Sequence, residues 1–450
     1  MEMRIGSAGP GGEGSLELHV PIGPLGHLEP GPGPRTGVTL AYLEHLATLS
    51  ARCGTSQPVN ARRGIGVFVL AAAITGWNCG NVGPVVGSLT RDFDIGLGEV
   101  GLLSGTFFFA GSAVGSLVGA ALARRIRVLS GIWASCLLSV AGNVLFAAGD
   151  SVAVLAAGRV LAGLAFGLAA VFIPTYARVM GGLKMVGLFG AGLTLGVAAA
   201  LLLGSILEGA GVDWRVAFVI TAALAAIALP ILPNEPVEVQ RAASEGGGLA
   251  REALGNQAWW RVQLLGIATL NLPLIVGAWL VHYLITGYGL SAALAGGIAF
   301  ALFGISAVMR DVAGRITAAG AGPSMLVVVG LALGAGGLVL LGQGSSASVA
   351  LVSVALMGVG LSLPYPLYYD EAERVLPDRP VGSLALMQVG AGLFPIPVIP
   401  LFGAALASGD ADLAFAALGA FALLTLILNA RPPVPPRAPA RAEPPGATGR

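Results

Sequence analysis

From Gly64 to Leu428 the chain consists of twelve mostly apolar stretches joined by short loops. Each is about 19–28 residues long, and a bilayer core about 30 Å thick needs about 20 apolar residues per helix. The pattern therefore predicts a polytopic, all-α membrane protein with twelve transmembrane helices. The expected spans are 64–87, 98–122, 128–148, 152–175, 185–208, 214–233, 262–286, 291–309, 324–342, 348–369, 380–407 and 412–430. A chain that is nearly all span and tight loop has no room for a soluble catalytic domain.

Charge agrees with this. Of 450 residues, 10% are charged and 55% hydrophobic, whereas soluble domains carry about 25% charged residues. A net charge of +1 argues against nucleic acid as a partner, because that needs a basic face. Cys53, Cys79 and Cys136 have no metal or redox spacing, so no metal and no cofactor is expected. Cys79 and Cys136 fall in apolar spans, where a free cysteine packs as a small hydrophobe.

Residues 1–63 are rich in Gly and Pro and hold no apolar run long enough for a signal peptide. They are expected to form a disordered cytoplasmic tail, with an amphipathic pattern at 38–51; a start codon placed too far upstream accounts for them equally well. Residues 431–450 form a second, Pro-rich tail. The segment 234–261 is the longest connection and the only polar one. It divides the spans into a six-helix bundle at 64–233 and another at 262–430.

Basic residues alternate across the loops. Twelve, from Arg124 to Arg379, lie in even-numbered loops, against only Arg91 and Arg215 in odd-numbered ones. The positive-inside rule then places both tails in the cytoplasm and the spans in the cell membrane.

The halves echo each other. Gly119-Ala-Ala-Leu-Ala123-Arg124-Arg125-Ile126-Arg127 follows span 2, and Arg310-Asp311-Val-Ala-Gly314-Arg315 follows span 8. Pro174-Thr-Tyr176 after span 4 has a counterpart in Pro366-Leu-Tyr368 after span 10. Two pseudo-symmetric six-helix bundles are a transporter signature.

These motifs resemble the major facilitator superfamily, over residues 64–430. Its recurrent Gly-x-Leu-Ala-Asp-Arg-x-Gly-Arg-Arg motif is matched at Gly119, Arg124 and Arg127, with Ala123 for the Asp and Ile126 for the Gly. The second-half copy keeps both, as Asp311 and Gly314, followed by Arg315. Leu155-x-x-x-Arg159-x-x-Ala162-Gly163 is similar to the family's span-4 motif, and Trp214-Arg215-x-x-Phe218 opens span 6. The resemblance implies the family fold, alternating access, and a gating role for Gly119, Arg124, Arg127, Asp311, Gly314 and Arg315. It also implies a central path lined by spans 1, 4, 7 and 10. The Gly-Pro-x-x-Gly-Gly motif of drug/proton antiporters is missing from span 5, whose glycines at 187, 190, 192, 196 and 204 read as packing positions.

Candidate substrate or cavity residues are few. Arg159 lies inside apolar span 4, where a charge is costly and faces a cavity or a partner. It is either an anion site or coupling element, or a structural arginine bonded to helix carbonyls. No span holds a carboxylate near its centre, which makes proton coupling less evident and favours an anionic or neutral substrate. Span 1 carries Trp77, Asn78 and Asn81 among glycines and Pro84, and its counterpart, span 7, carries Asn271 and Pro273. These amides line a cavity or bond between helices. His282, in the outer part of span 7, is a proton relay or an interfacial residue. Gln388 lies in span 11, which Pro395, Pro397 and Pro400 should bend or break.

The expected function is secondary active transport of a small organic anion or neutral metabolite by a monomer, with protons or another coupling ion and the lipid bilayer as partners. Multidrug efflux by drug/proton antiport is the alternative. A non-transporting receptor is a third class. An intramembrane enzyme is disfavoured because the spans lack clustered catalytic side chains.

Overall fold

The computed structural model describes residues 58–232, 239, 254–318, 322–375 and 380–430. The expectations for residues 1–57, 240–253 and 431–450 lie outside them. Among the described residues the regular structure is helical, the form in which a single segment satisfies its own backbone in lipid. Eleven helices are long and apolar enough to cross a membrane. They are α1 (Phe68–Phe93), α2 (Leu97–Leu122), α3 (Val128–Ala148), α4 (Val152–Met180), α5 (Gly187–Gly209), α7 (Gln257–Thr286), α8 (Ala292–Thr317), α9 (Pro323–Gln343), α10 (Ala347–Tyr369), α11 (Ala385–Ser408) and α12 (Ala411–Asn429). The shorter apolar helix Arg215–Ile231 is α6 and completes the twelve.

Several ends differ from the sequence expectation. The first helix begins at Pro58, ahead of residue 64, and proline is well suited to a helix start because the missing N–H is an orphan there. The seventh begins at Gln257 because Asn256 caps it, its side chain accepting from Ala258 N at 2.9 Å. The helix containing α8 runs on to Ala318, nine residues beyond the expected 309, so Arg310, Asp311, Gly314 and Arg315 are helical rather than loop residues.

Helical backbone continues without a gap from Val152 to Gly209. A straight helix of that length would measure about 87 Å, nearly three bilayer cores. The packing shows a reversal instead. Gly163 and Gly167 of α4 sit against Phe108 and Ser112, so α4 runs parallel to α2; Gly196 and Gly204 of α5 sit against Ala73 and Pro84, so α5 runs parallel to α1. The chain turns back between Met180 and Gly187.

The architecture repeats after six helices. In the first half α3 packs on α4, α2 on α4, and α3 on α6; in the second α9 packs on α10, α8 on α10, and α9 on α12. The halves meet through a matching exchange: α2 lies against α11, and α5 against α8. Glycines permit these approaches. A Cβ on Gly101 would overlap Pro400, one on Gly296 would overlap Ser205, and one on Gly83 would lie 2.9 Å from the Gly277 carbonyl.

Two spans break, and the sequence predicts the second of these breaks. The first helix ends at Gly80, ahead of a short 3-10 turn at Gly83–Val85. The eleventh span divides at Phe394 into Pro380–Leu393 and Pro395–Ser408. Pro395, Pro397 and Pro400 of α11 deprive three carbonyls, those of Ala391, Leu393 and Ile396, of their usual helical donor. Ala391 O faces Pro395 and accepts instead from Phe394 N at 3.3 Å and from Asn271 Nδ2 at 2.7 Å. Ile396 O faces Pro400 and accepts from Thr106 Oγ1 at 2.7 Å, across the two halves.

Candidate functional site

Arg159 is the centre of a polar network inside the first half and is 1% exposed. Two of its three bonds go to backbone carbonyls beside breaks in the regular helices. Asn78 lies in the last turn before the break in α1, where carbonyls lack helical partners. Its carbonyl accepts from Arg159 Nη1 at 3.1 Å. A π-turn at Leu102–Phe107 interrupts the hydrogen-bond ladder of α2, and Leu103 O there accepts from Arg159 Nε at 3.2 Å. Asn81 Oδ1 also accepts from Nη1, at 3.1 Å. The guanidinium lies 4.5 Å from the Phe108 ring centre, and Nη2 is buried without a partner.

The amides are then tied to α3 and α6. Asn78 Nδ2 donates to Ser139 Oγ at 2.8 Å, and Asn143 Nδ2 donates to Asn78 Oδ1 at 2.6 Å. Asn81 Nδ2 donates to Asn143 Oδ1 at 2.9 Å and, at 3.5 Å, to Thr221 Oγ1. A small cavity with room for about one water lies beside this network, lined by Thr75, Asn78, Ser135 and Ser139. Asn78, Asn81 and Arg159 are thus brought together, and Asn143, Ser139 and Thr221 join them. Trp77 is half-buried on α1, and its carbonyl accepts from Asn81 N.

The other predicted residues lie apart from this network. Asn271 bonds to α11 as described. His282 is half-buried near the end of α7, next to Tyr283, whose hydroxyl donates to Gly342 O at 3.2 Å. Gln388 is half-buried on α11. Gly119 packs on Val171 of α4. Arg124 and Arg127 are exposed where α2 turns into α3. Asp311 pairs with Arg315 at 2.7 Å within α8, both side chains more than half exposed. Gly314 has open space at its Cβ position.

Sequence reasoning placed Arg310 in the motif loop at 310–315, whose arginines were expected to bond to the opposing half. It is 6% exposed and joins the halves at the arginine-rich end. Its Nη1 donates to Thr194 Oγ1 of α5 at 2.7 Å. Its Nη2 donates to Thr269 O at 3.4 Å, within a second π-turn at Ile267–Asn271. The guanidinium stacks 3.9 Å from the Tyr365 ring centre, and Tyr365 itself packs on Gly190 of α5. The halves also touch at the far end, where Gly403 packs on Trp279 and Leu97.

A second group was missed. Trp259 Nε1, both polar atoms of the Gln263 amide, and Tyr368 OH are buried without partners. They adjoin one another on α7, α10 and α11: Gly390 packs on Gln263 and Trp259, and Gly266, one turn beyond Gln263, packs on Tyr368. The spacing 259, 263, 266 on one helical face was the available signal.

The sequence profile of the Major Facilitator Superfamily matches residues 68–385. A curated relative, plastidic glucose transporter 4 of Arabidopsis thaliana, is 29% identical over 182 residues. That segment is 38% of this chain and 33% of the relative, so the chain matches about a third of its length. Among solved structures, the xylose transporter XylE of E. coli, in a partially occluded inward-open conformation, superposes with a TM-score of 0.64 at 16% identity. The superposition covers 81% of this chain and 96% of that one. A bacterial homolog of the human lysosomal transporter Spinster, inward-facing and occupied, gives 0.63 at 18% identity over 83% and 97%. At these identities the structures establish a common fold.

Proposed function

The chain belongs to the Major Facilitator Superfamily, and from that premise we propose that it is a secondary transporter carrying a small neutral, hydroxyl-bearing metabolite by alternating access. The observation that carries this reading is the pattern of contacts between the halves. The α2–α11 and α5–α8 seams run antiparallel and touch at both ends. Rocking one half on the other opens one end as it closes the other around a site between them. Residues 64–233 and 262–430 are the rocking units in this account, and the arginine-rich end is the cytoplasmic one.

A neutral substrate is favoured over an anion because Arg159 is engaged by two carbonyls, an amide and an aromatic ring of its own half. The relatives named for their cargo are glucose and xylose carriers, which favours a sugar-like substrate over drug efflux. Gln263, Trp259 and Tyr368 hold unpaired donors and an acceptor near the arginine-rich end of the second half, where a hydroxyl-bearing molecule would pass on its way to or from the site.

The test is uptake into proteoliposomes of labelled D-glucose, D-xylose, a dicarboxylate and ethidium. Entry of a sugar is the expected result. Entry of only the dicarboxylate or only ethidium would overturn the substrate reading.

A further inference from the structure

The geometry points to a site for one small monovalent cation, sodium, in the cavity between α1, α3 and α4. This goes beyond the transport reading and does not depend on it. Thr75 and Asn78 of α1 and Ser135 and Ser139 of α3 line the cavity, and Ala165 of α4 stands on its third side. Each of the four polar residues is at most 5% exposed.

The wall offers acceptors and almost no donors. Thr75 Oγ1 donates to Ala71 O at 2.8 Å, and Ser135 Oγ donates to Ile132 O at 2.7 Å. Asn78 Nδ2 donates to Ile74 O at 3.1 Å and to Ser139 Oγ at 2.8 Å. Ser139 Oγ donates in return to Asn78 Oδ1 at 3.2 Å. A hydroxyl has one proton and two lone pairs, and a side-chain amide has two protons. Every N–H and O–H of these four side chains is therefore engaged, which leaves lone pairs on Thr75 Oγ1 and Ser135 Oγ. The other polar group on the wall is the Cys136 thiol, a weak donor.

A guest here must bring protons or positive charge and has little to accept from. A water would give both its protons and leave its own lone pairs bare, whereas a buried water makes about three hydrogen bonds. A metal cation has no such deficit. It must be small, because the cavity has room for about one water. Calcium and magnesium sites draw on carboxylates, and among the described residues no group of three His, Cys, Asp or Glu could hold a metal ion. A few neutral oxygens suit sodium better than the larger potassium, which needs more of them. The cavity also adjoins the carboxyl end of the first helix, which stops at Gly80. Helix carboxyl ends attract cations, and broken helices of transporters hold sodium there. Arg159, about 9 Å along α4 from Ala165, repels the ion and makes the site weak.

The test melts the purified full-length protein in nanodiscs in sodium, potassium or choline chloride at equal ionic strength. A ligand held by the folded state alone shifts the folding equilibrium about tenfold at ten times its Kd. The expected result is a melting temperature that rises with sodium above its value in the other two salts. Equal curves in all three overturn the proposal and leave the cavity to water. Thr75→Val and Ser135→Ala each remove one oxygen. Both hydroxyls bond to carbonyls of their own helix, so these variants should fold. The sodium-specific rise should shrink in each, and a full rise in both would overturn the location. No substrate is present, so either result leaves the transport reading where it stands.

Discussion

Arg310 on α8 donates to Thr194 Oγ1 on α5 at 2.7 Å, so a buried charge of the second half is held by a hydroxyl of the first. The same guanidinium lies on Tyr365 and reaches the π-turn of α7. Arg159 repeats the device within the first half, using the π-turn of α2. In each case a widened turn supplies a carbonyl to an arginine that has no carboxylate.

Loss of the Arg310 bond should favour opening at the arginine-rich end. A hydrogen bond to a charged group contributes about 1.5–3 kcal/mol, which corresponds to a shift of about 10- to 150-fold between closed and open populations. Spin labels at Gly187 and Gly314, where an added side chain meets nothing within 4 Å, should report a longer distance in Arg310→Ala. Arg310→Lys should be intermediate, because it keeps the charge and loses the planar stack.

Asp311→Ala should leave that distance unchanged. Asp311 meets Arg315 on its own helix with both side chains largely in water, and such pairs are worth less than about 1 kcal/mol. A lengthening equal to that of Arg310→Ala would place the closing contact at Asp311 instead.

Thr106 and Pro400 should be coupled. Thr106→Val strands Ile396 O, at a cost of about 1–3 kcal/mol. Pro400→Ala returns an N–H to that carbonyl, so Thr106→Val should cost less in the Pro400→Ala background. Equal costs in a thermal-denaturation double-mutant cycle would contradict the account.

Gln263→Leu should separate stability from transport. Both polar atoms of the amide are buried without partners in this closed arrangement, and replacing such a group with an apolar one of similar shape is neutral or stabilising. The variant should melt no lower than wild type and carry less sugar. A lower melting temperature would mean that the amide is satisfied within the fold.

Much of this was legible in the sequence. Span length and arginine alternation gave the fold, and Pro395 to Pro400 marked the break in span 11. Of the span-5 glycines expected to be packing positions, Gly190, Gly192, Gly196 and Gly204 each meet a neighbouring helix, whereas Gly187 meets nothing. The burial of Arg310 was hidden because hydropathy falls at 309 while the helix continues, so a buried residue looked like a loop charge. Asn143 and Thr221 were hidden because their role depends on which neighbours face Asn81. Arg159 was visible as a costly charge, but besides Asn81 its partners are two backbone carbonyls beside helix breaks, and side-chain sequence does not display those.

The central claim is a carrier that exposes one site to each side in turn, and counterflow tests it most directly. Proteoliposomes preloaded with unlabelled D-glucose are diluted into a trace of labelled D-glucose. Alternating access predicts that label transiently accumulates inside above its outside concentration, because the unlabelled sugar inside competes with label for each outward turn of the carrier. Entry that rises only to the equilibrium level, as through an open pore, would contradict it.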